Sequence, residues 1–326
     1  MSSAIVASFD YATQQLAIYT NFFNLIIGIP GGLLNIIVFL SLKTFRESTC
    51  SFYLIILSFF NIGQLVTGSL TRLLISGYGV DLTTQSRFYC KFRIYLFQAF
   101  SLITLTCLCL ATMDQYFATC TRIHWQQWSN IKLVRILSFI AIVFWSIFAI
   151  IYPFFYDIII STNGNKTTCT NTNYIFQRYN SYFHQNIMQG FLPNCLTALF
   201  AILAHRNLKN LAYRTVPLVR RELDKQLTTM LLVQVVVNSF SLLCYNVVGI
   251  VTLEISAITD SIVLAKIRFV QVLSYSLYYF YPACPFYIYI CVSNRFRRQL
   301  GYVFIEKYFN HCPKLRLVGN EVVPQI

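Results

Sequence analysis

The sequence predicts an all-α membrane protein, a seven-transmembrane helix bundle plus a short interfacial helix after span seven. Three observations predict it. Only 11% of the 326 residues are charged, less than half the roughly 25% of a typical soluble domain. Hydrophobic residues make up 56% and mean hydropathy is +0.58, so too few charges remain to solvate a soluble surface, and a disordered chain is excluded on the same ground. The apolar residues also gather in stretches near the ~20 residues that a helix needs to cross ~30 Å of hydrocarbon.

Those stretches run at 17–42, 52–74, 94–118, 136–158, 187–204, 227–253 and 269–292. The fifth is the weakest, short and carrying Gln189 and Asn194. Strands of a barrel would alternate over ~10 residues, and nothing here alternates in that way. Before the first span lies a tail over 1–16, which lacks the basic and apolar regions of a cleavable signal peptide. After the seventh comes 293–326. No internal repeat, Gly/Ser linker or low-complexity tract divides the chain, so one membrane domain over 17–292 is expected.

Charge sets the orientation. The segments after spans one, three, five and seven hold 17 of the 25 Lys and Arg. The other side holds Arg72, Arg87, Lys91, Arg93, Lys166, Arg178, Lys266 and Arg268. The positive-inside bias therefore predicts an extracellular N-terminus and a cytoplasmic C-terminus. Most of the net charge of +14 lines a cytoplasmic rim, so no nucleic-acid partner is expected.

Of 11 cysteines, only Cys90 and Cys169 fall on the oxidising side. They permit one disulfide, tying the loop after span four across the bundle mouth; two free thiols are the alternative. Asn165-Lys166-Thr167 in the same loop is an N-glycosylation sequon, which agrees with an outside placement.

Several landmarks along the spans carry a resemblance. Gly32-Leu33-Leu34-Asn35 lies in span one and Leu57-Ser58-Phe59-Phe60-Asn61 in span two. Cys90 stands 25 residues before the centre of Asp114-Gln115-Tyr116. Trp145 and Pro193 sit within spans four and five, and span seven holds Tyr281-Pro282-Ala283-Cys284-Pro285-Phe286-Tyr287-Ile288-Tyr289. Asn294-Arg295-Phe296-Arg297-Arg298-Gln299-Leu300 follows. In joint order and spacing, over roughly residues 22–304, the chain resembles the rhodopsin-like G-protein-coupled receptors.

The resemblance implies a plasma-membrane receptor that binds an extracellular ligand and switches a cytoplasmic heterotrimeric G protein. It implies switch and coupling roles for Asp114, Gln115, Tyr116, Asn35, Asn61, Pro285 and Tyr289, with the basic segment 205–225 on the coupling face. Phe296, Leu300 and Phe304 form an apolar stripe flanked by arginines, as on a helix lying in the inner interface. Cys312 beyond it is a lipidation candidate.

Departures from the family pattern are several. Gln115 stands where most members carry Arg, which puts the efficiency of coupling in question. Asn61 replaces an Asp and Cys284 an Asn, so a bound sodium ion is not expected. Tyr289 comes one residue late, and span six reads Cys244-Tyr245-Asn246-Val247 without the usual Pro hinge, so no kink is forced there.

The implied ligand pocket is lined by Arg72, Arg93, Phe97, Gln98, Tyr245 and Tyr278, with Glu254 and Arg268 at its rim. Phe97 occupies the place of the Asp that pairs with amines, and Tyr278 that of the retinal Lys, so neither ligand is expected. An aromatic floor with charged rim groups suits a short peptide. The stretch Asp224-Lys225-Gln226-Leu227-Thr228-Thr229-Met230-Leu231-Leu232 is loosely similar to invertebrate FMRFamide-like neuropeptide receptors. Alternatives are a chemosensory receptor for small molecules and a seven-span protein that has lost coupling at Gln115. An enzyme is not expected: His124, His184, His205 and His311 lie far apart, without a metal or triad motif, and no cofactor is called for. A transporter or channel would place charges deep within its spans, and these spans have none near their centres.

Overall fold

The 40-residue helix α1 (Ser2–Ser41) starts well before the apolar stretch at residue 17. The computed structural model describes residues 2–41, 43–120, 122–160, 167–211, 218–254 and 260–303. At 1.5 Å per residue α1 is about 60 Å long, roughly twice the hydrocarbon thickness. It is followed by α2 (Thr49–Gly77), α3 (Arg87–Thr119) and α4 (Ile131–Phe155). A hairpin of β1 (Tyr156–Ile160) and β2 (Thr167–Asn171) comes next, antiparallel, with Ile158 opposite Cys169. The helices resume with α5 (Tyr174–Leu208), α6 (Leu218–Glu254) and α7 (Ser261–Ala283). Two short helices, α8 (Pro285–Val292) and α9 (Asn294–Tyr302), complete the described chain.

Six helices, α1 to α6, are long and apolar enough to cross a membrane. This makes the chain compatible with an all-α membrane protein. Helix α7 falls outside that set. It is diluted by Lys266, Arg268 and a run of tyrosines, and the helical path breaks at Cys284. The hairpin is an element that the all-α reading did not contain. Tyr156-Asp157-Ile158-Ile159-Ile160 reads as the end of an apolar span, yet its β-branched run suits a strand, so the helix stops at Phe155 rather than Ile158.

Which face is apolar distinguishes this bundle from a water-soluble one. Outward stripes at helical spacing are large and apolar: Phe22, Ile26, Leu33 and Leu40 on α1; Ile136, Ile140, Val143 and Ile147 on α4; Val236, Phe240, Leu243 and Val247 on α6. Polar side chains turn inward, among them Asn24, Gln64, Gln98, Thr104, Gln115, Gln189, Gln234 and Asn238. Hydrocarbon solvates the first set, and interhelical hydrogen bonds satisfy much of the second.

Helix α3 is the axis. It packs against α2, α4, α5 and α6, and 61% of its most apolar 18-residue segment is buried against 22% for that of α4, which lies at the edge. Helix α1 closes the ring by packing on α2, α7 and α8. A Cβ at Gly28 would fall 2.9 Å from the Ala283 Cβ, so α1 and α7 approach this closely only because residue 28 lacks one.

Most helix starts are capped by a short polar side chain. Ser48, Ser86, Asn130, Asn173, Asp260 and Ser293 accept from backbone N–H groups opening α2, α3, α4, α5, α7 and α9, satisfying donors that would otherwise be orphaned. Helix α5 is far longer than the apolar stretch at 187–204. Its first half winds in π-type turns through Tyr179–Phe191, where the missing N–H of Pro193 follows directly. Helix α2 is widened in the same way at Leu65–Ser69 and Leu73–Gly77.

Candidate functional site

The Cys90–Cys169 disulfide joins the first turn of α3 to β2 with a Cα separation of 5.9 Å. It pins the hairpin over one end of the bundle. Under the hairpin lies a cavity of about 280 Å³, at the small end of the ~300–1,000 Å³ typical of ligand sites. Five helices and the hairpin line it.

Each lining residue has a local reason for its place. Arg93, Phe97 and Gln98 on α3 face inward one to two turns below the disulfide. Helix α7 contributes Tyr275, Tyr278 and Tyr279, the i, i+3, i+4 spacing of one helical face. Tyr245 of α6 lies 4.5 Å from Tyr278 and 5.5 Å from Tyr275, ring to ring. Phe97 is 6.2 Å from Tyr278 and 6.3 Å from Tyr279. These rings form the floor, and Tyr156 of β1 adds one from above. Carboxamides complete the wall: Asn180 and Gln185 from α5, Gln271 from α7 and Asn171 from β2.

Two arginines reach the same space. The Arg72 guanidinium carbon lies 3.8 Å over the Tyr275 ring centre. Arg93 Nε donates to the Thr67 carbonyl oxygen at 3.0 Å, an oxygen within the π-type turn of α2. Beneath them Gln98 Oε1 accepts from Gln189 Nε2 at 2.9 Å, and His184 Nε2 stands 3.1 Å from the same oxygen. This clasp joins α3 to α5.

Six expected pocket residues thus share one cavity: Arg72, Arg93, Phe97, Gln98, Tyr245 and Tyr278. Arg268 stands apart from the lining, 56% exposed at the end of a long ion pair to Asp10, 3.9 Å. The Glu254 side chain, Asn165 and Cys312 lie outside the described residues, as does Phe304 of the expected apolar stripe.

The cavity floor continues into a polar chain. Gln64 Nε2 donates to the hydroxyls of Tyr278 and Tyr281 at 2.7 and 2.8 Å, and the Tyr281 hydroxyl donates to Gln64 Oε1 at 2.9 Å. Ser101 Oγ lies 2.9 Å from the Tyr278 hydroxyl. Helices α2, α3 and α7 meet in this one network. Three residues beyond Tyr281 the helical path breaks at Cys284, whose Sγ donates to the Tyr281 carbonyl oxygen. Pro285 has no N–H to offer that oxygen.

At the end of the bundle away from the disulfide, Asp114 accepts from Thr49 Oγ1 at 2.6 Å and from Ser129 Oγ at 2.8 Å. It clamps the start of α2 and the turn before α4 to α3. Gln115, 2% exposed, accepts from Thr228 Oγ1 of α6 at 3.0 Å. Tyr116 packs against Phe117 and Phe200. The Tyr289 hydroxyl donates to Gln234 Oε1 at 2.6 Å, joining α8 to α6, and its ring packs on Phe39 and Phe296. Asn35 Oδ1 and Asn61 Oδ1 are buried without a hydrogen-bond partner among the described residues.

Sequence reasoning missed Gln64, Tyr275, Tyr279, Tyr281, Thr228 and Gln234. Gln64 and Gln234 were visible as lone carboxamides in apolar runs, and Tyr275, Tyr278 and Tyr279 as a helical stripe. Among the described residues no group of three His, Cys, Asp or Glu side chains could hold a metal ion. Neither a protein-family model nor a curated protein matches this chain.

Proposed function

We propose that this chain is a seven-helix receptor of the rhodopsin-like G-protein-coupled class, which binds an extracellular ligand, a short peptide, and signals to a cytoplasmic heterotrimeric G protein. In this reading α7 and α8 together make the seventh crossing, and α9 lies in the inner interface. The N-terminus faces out, Asn165 carries a glycan, and Cys312 is available for acylation.

One observation carries the reading. Tyr278 belongs both to the cavity and to the Gln64–Tyr281 network that ends at the α7/α8 break. A ligand that moves its ring shifts hydrogen bonds among α2, α3 and α7 close to the point where the helical path breaks. Gln115–Thr228 and Tyr289–Gln234 hold α6 against α3 and α8 at the far end. Such interhelical bonds are worth about 0.6–2 kcal/mol each. Moving a two-state bundle from 1:99 to 99:1 takes about 5.5 kcal/mol of differential binding, within reach of a ligand that fills the cavity in one state only.

Gln115 favours a second reading, a receptor-like protein with coupling lost, since this neutral side chain is buried and tied to Thr228. Guanine-nucleotide exchange in membranes separates the two, comparing the unmodified chain with Gln115→Arg across G-protein classes and a peptide pool. Exchange by the unmodified chain above empty membranes is expected. Exchange by the Arg variant alone would favour lost coupling, and silence from both at equal surface expression would sink the receptor reading.

A further inference from the structure

Among the described residues the cavity walls carry a charge that they do not balance. Arg72 and Arg93 both face it, and its described lining contains no carboxylate. The nearest acid in sequence to a lining residue of the hairpin is Asp157, beside Tyr156. It is already paired with Arg87 at 2.9 Å. Arg72 does not turn its head outward as an interfacial anchor would, since its guanidinium lies over Tyr275 inside the cavity. Arg93 spends its Nε on the Thr67 carbonyl. Its two terminal nitrogens have no hydrogen bond among the described residues. Two partly buried guanidinium groups of like charge thus face one space walled by tyrosines, an arrangement that a group of opposite charge would complete.

From this placement we infer that the ligand of the cavity is an anion, which presents a carboxylate or an equivalent oxyanion to Arg72 and Arg93. The guanidinium fork matches such a group with paired N–H donors. The tyrosine floor takes an aromatic or aliphatic body, and Gln185, Asn180 and Gln271 supply amide partners for polar groups along it. The inference rests on the receptor reading only in treating this cavity as the ligand site. It refines the expected peptide to one with a free C-terminal carboxylate or an acidic side chain, rather than an amidated neutral end. A small organic acid presents the same chemistry.

Thermal unfolding of the purified full-length protein in lipid nanodiscs tests this, with probes matched in pairs. These are aromatic tripeptides with a free C-terminus against their amides, 3-phenylpropionate against its methyl ester, and an aryl sulfate against the corresponding phenol. Acids are expected to stabilise the protein with affinity about a hundredfold above their neutral partners. Which pair does so tells peptide from small acid and carboxylate from sulfate. Arg72→Gln and Arg93→Gln should each abolish the acid preference, Arg93→Lys should keep part of it, and Arg268→Gln should leave it unchanged. Equal stabilisation by neutral partners, stabilisation by none of the acids, or an undiminished preference in the doubly neutralised Arg72→Gln/Arg93→Gln variant would overturn the inference. The same probes are then run in the nucleotide-exchange assay. Exchange driven by neutral probes alone leaves the receptor reading standing and removes the anion, whereas acid binding without exchange does the reverse.

Discussion

The one hydroxyl proton of Thr228 faces two acceptors, Gln115 Oε1 at 3.0 Å and the Asp224 carbonyl oxygen of its own helix at 2.8 Å. Gln115 is 2% exposed, so without the Thr228 hydroxyl its Oε1 loses that partner in an apolar setting. A neutral contact of this kind contributes about 1 kcal/mol between membrane helices, or roughly fivefold in a two-state population. Thr228→Val keeps the shape and removes the donor. It is expected to lower the unfolding temperature slightly and to raise ligand-independent nucleotide exchange about fivefold; unchanged or lower basal exchange would count against a restraining role. At this scale the sequence carried half of the information. Asp114, Gln115 and Tyr289 were legible from their order along the chain. Their partners Thr49, Ser129, Thr228 and Gln234 were not, because a partner is chosen by how two helices rotate against each other, and no single helix encodes that.

Helix ends were more legible than helix starts. The stretches ending at 42, 74, 118 and 253 stop within three residues of the ends of α1, α2, α3 and α6. Those opening at 17, 94, 187 and 227 begin seven or more residues late, although polar caps mark most of the true starts. Ser48, Ser86, Asn130, Asn173, Asp260 and Ser293 each precede a helix and accept its first free N–H groups, a local chemistry written in a few adjacent residues. The apolar count misjudged α5, because Asn180, Gln185 and Gln189 face the cavity or α3 rather than lipid, and so dilute hydropathy without breaking the helix. It misjudged the end of α4 for the converse reason, since the isoleucines after Phe155 are apolar enough for a span but pair with β2. The π-type turns of α2 and α5 had no sequence signal beyond Pro193. The break between α7 and α8 did have one, in Pro282 and Pro285. Pro285→Ala restores an N–H beneath the Tyr281 carbonyl and lets the two helices merge. The variant is expected to unfold at a higher temperature, while ligand-stimulated exchange falls. A gain in stability without loss of exchange would mean that the break is not the moving part.

The whole bundle raises the question of how many times the chain crosses the bilayer. Seven apolar stretches are visible in the sequence, yet among the described residues six helices meet the length and composition of a spanning segment. The shortfall lies in α7, and its cause is the inward face. Tyr275, Tyr278 and Tyr279 point into the cavity and Tyr281 into the Gln64 network, so they lower mean hydropathy without meeting lipid. Outward positions such as Leu264, Val270, Leu273 and Phe280 are apolar. Helix α7 with its 23 residues is about 35 Å long before α8 begins, enough for ~30 Å of hydrocarbon. Lys266 and Arg268 sit in its first turns, close to an interface where long cationic side chains can reach water. Helix α7 also packs along α1 and α6, both long enough to cross, which supports the proposed seventh crossing. An odd number of crossings puts the two ends of the chain on opposite sides. Epitope tags at each terminus decide it: the N-terminal tag is expected to stain on intact cells and the C-terminal tag only after permeabilisation. Staining of both on intact cells would mean six crossings, with the tyrosine-rich helix leaving the bilayer on the side it entered, and α9 would then lie outside rather than in the inner interface.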